Sequence, residues 1–251
     1  MFGDRARAES FGRVAELYDR ARPRYPDALL EVVLAGARSV LDVGAGTGIA
    51  ARQLADRGAR VLAIEPDPRM AAVARAHGLE VEIATFERWQ PVGRRFELVT
   101  AGQAWHWVDP ERGAAKAATV LEPGGRLGVF WNYGELPDDL RAPLASIYER
   151  LAPELPNYGA KPGGGRANLD AAIAGIAASG AFAEPSVRVF PWAERYDAAA
   201  WRALLGTHSD HLALPDARRE RLLDAVDEAI EAAGGSLLMP YEATLVEASL
   251  R

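Results

Sequence analysis

Cysteine is absent from the 251 residues, which excludes disulfide bridges and cysteine-ligated metal sites. Long hydrophobic runs are also missing: no stretch approaches the roughly 18 apolar residues of a membrane-spanning helix, so we expect no membrane partner. The amino terminus lacks the apolar segment of a secretory signal, and we expect a cytoplasmic protein. Basic residues number 29 against 35 acidic ones. This balance disfavours a nucleic-acid partner, because phosphate binding needs clustered Lys and Arg.

Short apolar runs alternate with helical segments over the first half of the chain. The helical segments are about ten residues long, and glycine follows several of them at the position that favours a helix end. Strands separated by such helices predict parallel βαβ units in a sheet that is covered on both faces. The predicted strands of this half are 40–43, 60–65, 79–84, 96–101 and 126–131.

The pattern changes after residue 132. An amphipathic helix is predicted over 137–155, and a second over 217–233, where apolar residues recur at helical spacing until two glycines follow. Two more strands are predicted over 186–192 and 236–247, which brings the total to seven.

The turn after the first strand is the strongest signal for a ligand site. Gly44, Gly46 and Gly48 allow a tight turn and a close approach of a ligand to the backbone. A dinucleotide-binding turn would have its next glycine at the position of Ile49. Asp42, inside the strand, suits a ligand with a cationic amino group better than it suits a pyrophosphate.

Glu65 ends the second strand and supplies a carboxylate beside this turn. A carboxylate can accept two hydrogen bonds from ribose hydroxyls. This property fits any adenosyl ligand, so Glu65 by itself does not separate S-adenosylmethionine from a nicotinamide dinucleotide.

Several ordered segments together resemble the class I S-adenosylmethionine-dependent methyltransferases of the Methyltransf_11 type. The matching segments are Val40–Gly48, Ile64–Asp67 with Met70, Thr85–Glu87, Gln103–Trp107, Leu121–Leu127, and the stretch from Phe11 to Pro26. The resemblance implies an α/β fold with a Rossmann-like seven-stranded sheet that is mostly parallel, its last strand antiparallel. It also implies an enzyme that uses S-adenosylmethionine and releases S-adenosylhomocysteine.

We expect a single domain over 1–251. Residues 1–26 resemble the amino-terminal cofactor lid of this group, and we interpret 133–170 and 196–215 as helical cap insertions over the edge of the sheet.

The resemblance also implies a set of cofactor-binding residues. The glycine turn would wrap the methionine part, Glu65 would bind the ribose, and Arg22 is a candidate partner of the cofactor carboxylate or a solvated helix charge. The full set is Tyr18, Arg22, Asp42, Gly44, Ala45, Gly46, Thr47, Gly48, Glu65, Pro66, Met70, Thr85, Phe86, Gln103, Ala104 and Trp105.

A small-molecule acceptor is expected at the carboxyl ends of the strands, where open α/β sheets bind ligands. His106 is the candidate catalytic residue, because its ordinary pKa lies near neutrality; alternatively it only shapes the pocket. The other candidate acceptor contacts are Trp107, Trp131, Tyr133 and His208. No acid cluster completes a metal site around His208 and His211, so no metal is expected.

Methyl transfer often needs mainly positioning, and the sequence leaves two rival functions open. The first is an NAD(P)-dependent oxidoreductase, which Ile49 and Asp42 disfavour. The second is a non-catalytic S-adenosylmethionine-binding module, because no indispensable base is evident. Methylation of nucleic acid is disfavoured by the sequence after the fourth strand, which is not of the Asn/Asp-Pro-Pro-Tyr type. A monomer or a homodimer is expected.

Overall fold

The computed structural model describes residues 9–155 and 166–251. The first eight residues of the predicted lid, and residues 156–165 of the first predicted cap, lie outside this range. Within it, no helix combines the length and the apolar character needed to cross a membrane.

Seven strands form one sheet in the order β3-β2-β1-β4-β5-β7-β6. The strands are β1 (Ser39–Val43), β2 (Arg60–Ile64), β3 (Glu80–Glu82), β4 (Phe96–Gly102), β5 (Leu121–Gly134), β6 (Ser186–Asp197) and β7 (Ser236–Ser249). The pairs from β3 to β5 are parallel, whereas β7 runs antiparallel to both of its neighbours. This arrangement confirms the predicted sheet with an antiparallel last strand.

Ten α-helices accompany the sheet in the described part of the chain. They are α1 (Ala15–Ala21), α2 (Asp27–Leu34), α3 (Ile49–Ala55), α4 (Pro68–Ala76), α5 (Pro110–Val120), α6 (Asp138–Leu151), α7 (Arg166–Ala178), α8 (Ala198–Leu205), α9 (Ser209–Leu212) and α10 (Asp216–Ala232). Two 3₁₀ segments, Glu9–Val14 and Trp105–Trp107, complete the set. Asp67 and Asp109 each accept a backbone N–H at the start of a helix whose first residue is proline, an arrangement that favours a helix start.

Alternate residues of the central strands enter two different hydrophobic clusters. Val99 and Val129 belong to the cluster on one face of the sheet, whereas Leu98 and Phe130 belong to the cluster on the other face. Successive side chains of a strand point to opposite faces, so a sheet buried on both sides reads as a continuous apolar run. This is why the central strands were recognisable from the sequence.

A third cluster lies beyond the end of the sheet and is built by α6, α8, α10 and the far ends of β6 and β7. Helices α6 and α8 lie within the ranges 133–170 and 196–215 of the predicted caps. Helix α10 packs in the same cluster through Leu222, Leu223, Val226 and Ile230, although the predicted cap ended at residue 215. We call this cluster the cap. The single-domain boundaries proposed for the chain stay a prediction.

Candidate functional site

The glycine turn connects β1 to α3 with three residues in the left-handed region. Gly44, Gly46 and Gly48 have φ values of 67°, 59° and 84°, which glycine adopts without steric cost. Two of them are also crowded: a Cβ on Gly44 would lie 2.7 Å from the Cβ of Ala104, and one on Gly48 would lie 2.3 Å from Leu79 Cδ1. The turn therefore needs glycine for its conformation and for its close packing.

Asp42 lies in β1, directly before this turn, and is fully buried. Its Oδ1 accepts a hydrogen bond of 2.9 Å from the hydroxyl of Thr100, while its Oδ2 is buried without a partner. Burial raises the pKa of Asp42 to about 7, and the hydrogen bond from Thr100 opposes this shift. A buried acceptor without a donor costs free energy, so a ligand that brings a donor or a cation is favoured here.

Glu65 follows β2, and its carboxylate faces the glycine turn. Oε2 accepts the N–H of Gly46 at 2.8 Å, and Oε1 accepts the N–H of Asp67 at 2.8 Å. Burial raises the pKa of Glu65 to about 7, although these two hydrogen bonds act in the opposite direction. Each carboxylate oxygen can accept a second hydrogen bond, so Glu65 is held in place and can still bind a pair of hydroxyls.

The chain turns sharply where β4 ends. Gln103 has a φ of 54° without being glycine, a conformation that costs free energy and is concentrated at functional sites. Its backbone N–H donates to Phe130 O at 2.8 Å, and its side-chain amide donates to Asn132 O at 3.3 Å. Ala104 and Trp105 follow and are both buried, with Ala104 against Gly44. The end of β4 thus packs directly beside the glycine turn.

The residues predicted around an adenine have different surroundings. Met70 is buried, and its Cε lies 3.5 Å from the Cβ that Gly46 would carry, whereas Pro66 is exposed. Phe86 is buried in the core with its ring 6.2 Å from that of Trp105, and Thr85 is partly exposed. The proximity of Met70 to the turn supports its predicted role more directly than the burial of Phe86 does.

The segment before the sheet covers the glycine turn from the side of α4. Gly12 lies so close to Asp67 and Arg69 that a Cβ would collide with both side chains. Asp19 on α1 pairs with Arg52 of α3, and its Oδ2 lies 3.0 Å from His77 Nε2. Ion pairs and close packing therefore attach this predicted lid to the helices that flank the turn.

Tyr18 and Arg22, the two predicted cofactor contacts on this segment, lie together. The Arg22 guanidinium carbon is 4.8 Å from the centre of the Tyr18 ring, within the range of a cation–π contact. One Arg22 nitrogen donates to Thr207 O at 2.9 Å, but Nε is buried without a partner. Arg22 can therefore still donate to an anion.

His106 is engaged by a neighbouring aromatic side chain. The indole N–H of Trp131 donates to His106 Nδ1 at 3.2 Å. A neutral imidazole has one lone pair for accepting a hydrogen bond, so this contact places the imidazole proton on Nε2. In this arrangement His106 is a donor, which fits the shaping role better than that of a base. The adjacent Trp107 stacks obliquely on it, with 5.0 Å between ring centres.

A cavity of about 210 Å³ lies between the carboxyl ends of β4 and β5 and the cap. Its lining includes three predicted site residues, Arg22, Gln103 and His208. The other lining residues are Pro23, Asn132, Gly134, Glu135, Leu136, Arg141, Trp201, Leu204, Met239 and Tyr241. Ligand sites are typically concave and apolar with a few polar groups, and this cavity has that character.

Trp131 and Tyr133 point away from this cavity. They alternate along β5 with Asn132 and Gly134, which line it, and Trp131 and Tyr133 pack in the cluster on the opposite face. Neighbouring residues of a strand face opposite sides, so Trp131 and Tyr133 do not line this cavity, and their predicted acceptor role stays a prediction. Burial raises the pKa of Tyr133 to about 12.

Several lining residues were not predicted from the sequence. Asn132 follows the predicted fifth strand, and that position could have identified it. Its side chain donates to Arg24 O at 3.0 Å and accepts from the indole of Trp192 at 3.2 Å. Met239 and Tyr241 lie on β7, more than a hundred residues later, and no local signal connects them with this site.

Three residues that could ligate a metal ion, His208, Asp210 and His211, have their ligand atoms within 4.8 Å of one another. His211 Nδ1 lies 2.9 Å from Asp210 Oδ1, and its Nε2 lies 2.7 Å from the hydroxyl of Tyr148. Both ring nitrogens of His211 therefore have hydrogen-bond partners. Tyr148, His211 and Asp210 form a hydrogen-bonded chain.

Part of the chain matches a known protein family. Residues 41–129, from the middle of β1 into β5, match the family model for a methyltransferase domain, Methyltransf_11. An uncharacterized methyltransferase of Mycobacterium tuberculosis is 45% identical over 127 residues, which are 49% of this chain and 52% of the relative. The match thus spans about half the length of that relative.

Solved structures show the same fold over most of the chain. A proposed type II methyltransferase from Anaeromyxobacter dehalogenans superposes with a TM-score of 0.65 and 24% identity, covering 92% of this chain and 97% of that one. A phosphoethanolamine N-methyltransferase from Haemonchus contortus, solved with S-adenosyl-L-methionine, has a TM-score of 0.52 at 15% identity, covering 98% of this chain and 58% of that one. Residues 41–129 therefore match the methyltransferase-domain model of the family that the sequence motifs resemble, and the solved structures share the fold.

Proposed function

We propose that this protein transfers a methyl group from S-adenosylmethionine to a small-molecule acceptor. One observation carries the proposal: the buried carboxylates of Asp42 and Glu65 lie at the ends of adjacent strands, on the two sides of a turn whose three glycines all have a positive φ. The family match covers this turn, and the Haemonchus contortus neighbour was solved with the same cofactor.

The roles of the chain's own residues follow from their contacts. The unpartnered Oδ2 of Asp42 suits a bound ammonium group, and Glu65, fixed by two backbone N–H groups, suits the ribose hydroxyls. Arg22 has a buried Nε to offer to the cofactor carboxylate. Met70 and the partly exposed Thr85 are proposed to border the adenine, with Pro66 and Phe86 near its edges.

The cofactor supplies an electrophilic methyl group on a sulfonium. The protein's contribution is to align an acceptor atom behind that methyl for in-line displacement, and alignment can supply about 7–11 kcal/mol in favourable cases. The cavity beside Gln103 and Asn132 is the proposed acceptor site, since it opens at the strand ends next to the glycine turn. His106 and Trp107 are proposed to shape its approach.

The rival functions predict different binding. An oxidoreductase would prefer NADH, yet the turn has Ile49 where a dinucleotide turn has glycine, and a buried acid precedes it. A non-catalytic module would bind the cofactor and transfer nothing. The cavity beside Gln103 and Asn132 favours an enzyme, because it offers space for an acceptor.

A transfer assay with methyl-labelled S-adenosylmethionine tests the proposal. Four aromatic acceptors cover the chemistry: phenol, benzyl alcohol, benzylamine and benzoate. We expect labelled product from at least one, and its formation to stop in Glu65→Ala. If S-adenosylhomocysteine binds and none of the four is methylated, the non-catalytic alternative is the better account.

A further inference from the structure

We propose that His208 removes the proton from the acceptor during methyl transfer. This inference rests on the proposed function and assigns to His208 the role for which His106 is the sequence candidate. His208 lines the cavity together with Gln103 and Asn132, the residues at the carboxyl ends of β4 and β5. An acceptor in this cavity would lie between the imidazole of His208 and the strand ends where the donor is proposed to bind.

The other three histidines are not part of the cavity lining. His77 lies at the lid, 3.0 Å from Asp19. His106 uses its Nδ1 lone pair to accept from Trp131. His211 is fully buried between Tyr148 and Asp210. His208 is the histidine that lines the cavity, which is the requirement that geometry sets for a base.

The backbone around His208 is held from both directions. Its N–H donates to Leu205 O at 3.0 Å, and its carbonyl accepts from Leu212 N–H at 2.9 Å. The preceding Thr207 accepts from Arg22 at 2.9 Å. The ring of His208 lies 5.6 Å from that of His211, edge to face. We therefore assign His211, with Tyr148 and Asp210, a positioning role: this buried chain fixes the segment that presents His208.

Burial and the neighbouring positive charges lower the pKa of His208 and keep its ring neutral. Burial lowers its pKa well below the ordinary range, the positive charges of Arg22 and His211 act in the same direction, and Asp210 opposes them. Glu135 and Arg141 on the cavity wall pair with each other at 2.9 Å. A neutral imidazole is the form that can accept a proton.

The charge balance of the reaction suits this position. The acceptor oxygen or nitrogen forms a bond to the methyl carbon, the carbon–sulfur bond breaks, and its electron pair stays on sulfur. The acceptor proton moves to His208. One positive charge is lost at the sulfonium and one appears on the imidazole, so the site keeps its net charge. The imidazolium releases the proton to water when the site opens.

The test compares wild type with His208→Ala and His208→Gln, using whichever of phenol, benzyl alcohol or benzylamine is turned over fastest. We expect kcat to fall by about 100-fold or more, and the Kd for S-adenosylhomocysteine to change less than about twofold. Added imidazole should restore His208→Ala. His106→Gln is the matched comparison, and any loss that it shows should not respond to imidazole.

The pH profile separates a base from a structural residue. For wild type, kcat should reach its plateau below pH 6.5, because the pKa of His208 is depressed. In His208→Ala, the rate should keep rising toward the pKa of the acceptor. As a readout besides activity, histidine ¹⁵N spectra of the S-adenosylhomocysteine complex should show a neutral His208 ring at pH 6.5.

The results that would overturn this inference are specific. Methylation of a hydroxyl or amine acceptor within about threefold of wild type in both variants removes His208 from the reaction. Turnover of benzoate alone also removes it, since a carboxylate has no proton to lose. Absence of transfer to every acceptor, with S-adenosylhomocysteine still bound, contradicts the proposed function itself and is thereby distinguished from failure of His208 alone.

Discussion

Two carboxyl groups at the strand ends set the electrostatics of the site. Asp42 and Glu65 are both buried, and each has a pKa raised to about 7 by that burial. In the unfolded chain both ionise near their ordinary values of 3.8 and 4.5. The folded protein therefore holds protons that the unfolded chain releases. Its free energy of unfolding should fall as the pH rises from about 4 to about 7, and level off above that range.

Asp42→Asn should stabilise the unliganded protein and weaken the cofactor site. The amide removes the cost of ionising a buried group, so at pH 8 the melting temperature should rise above that of wild type, with no such gain at pH 4. Binding of S-adenosylhomocysteine favours ionised Asp42, so in wild type it should tighten by about tenfold between pH 6 and pH 8. Titration calorimetry at both pH values measures this slope. If Asp42→Asn binds S-adenosylhomocysteine with the same dependence on pH as wild type, ionisation of Asp42 does not contribute to binding.

Gly44→Ala and Gly58→Ala form a matched pair for the glycine turn. Both residues have a positive φ, 67° and 89°, so both variants should lose about 1–2 kcal/mol from backbone strain. Only at Gly44 does the new Cβ collide, at 2.7 Å from Ala104; at Gly58 the space is open. We expect Gly44→Ala to weaken S-adenosylhomocysteine binding by about tenfold or more, and Gly58→Ala to leave it unchanged. Equal affinities in the two variants would show that the close packing does not matter.

Single residues also show where sequence reasoning succeeds. The glycines of the turn were predictable, because glycine adopts a positive φ without steric cost. Phe86 is predicted at a ligand edge and is buried in the core in the structure, and its role toward the ligand stays a prediction. The sequence carries no signal that separates a buried phenylalanine from one that lines a site, since burial depends on elements far along the chain.

At the scale of elements, the lid is attached to the site by a few charged contacts. Asp19 of α1 pairs with Arg52 of α3 and contacts His77 after α4, and it is itself largely buried. Hydrogen bonds to charged groups contribute about 1.5–3 kcal/mol each. Opening of this lid for exchange, and its closure over a bound cofactor, stay predictions.

Asp19→Asn should loosen this lid. We expect proteolysis within residues 9–21 to become several-fold faster, and protection of this segment by S-adenosylhomocysteine to shrink. Asp27→Asn is the control, because the Asp27–Arg57 pair is exposed at the Asp27 end, with 81% of that side chain accessible. Cleavage that is equally fast with and without the product in wild type would rule out closure of the lid.

Strand β5 shows the limit of prediction for an element. The sequence predicted a strand over 126–131, and the structure extends it over Leu121–Gly134. Its extra residues after 131 pair with β7, as Tyr133 does with Glu242. Because this partner is distant in sequence, the extension and the face that each side chain occupies could not be read locally. Trp131 and Tyr133 do not line the cavity, and their acceptor role stays a prediction.

At the scale of the whole molecule, the cap is a second core joined to the sheet by β6 and β7. The fold class was predictable from the alternation of strands and helices, and the seven-stranded sheet with its antiparallel last strand is confirmed. The joining of α6, α8 and α10 into one cluster was not predictable, because amphipathic helices do not specify their partners.

Tyr148→Phe tests how far the buried chain stabilises the cap. The hydroxyl of Tyr148 lies 2.7 Å from His211 Nε2, and its removal takes this hydrogen bond away from a buried ring, at a cost of about 1–3 kcal/mol. A loss of 1 kcal/mol lowers the melting temperature by about 2–4 °C in a protein of this size. Differential scanning calorimetry should show this decrease. An unchanged melting temperature would mean that the chain does not hold the cap, and the positioning role of His211 would lose its support.

The central claim is that Asp42, the glycine turn and Glu65 together hold S-adenosylmethionine. Titration calorimetry with S-adenosylhomocysteine, and separately with NADH, tests it most directly in wild type and in Glu65→Ala. We predict one binding site for S-adenosylhomocysteine, lost or weakened at least tenfold in the variant, and no comparable binding of NADH. Tighter binding of NADH than of S-adenosylhomocysteine, or an affinity for S-adenosylhomocysteine that Glu65→Ala does not change, would contradict the account.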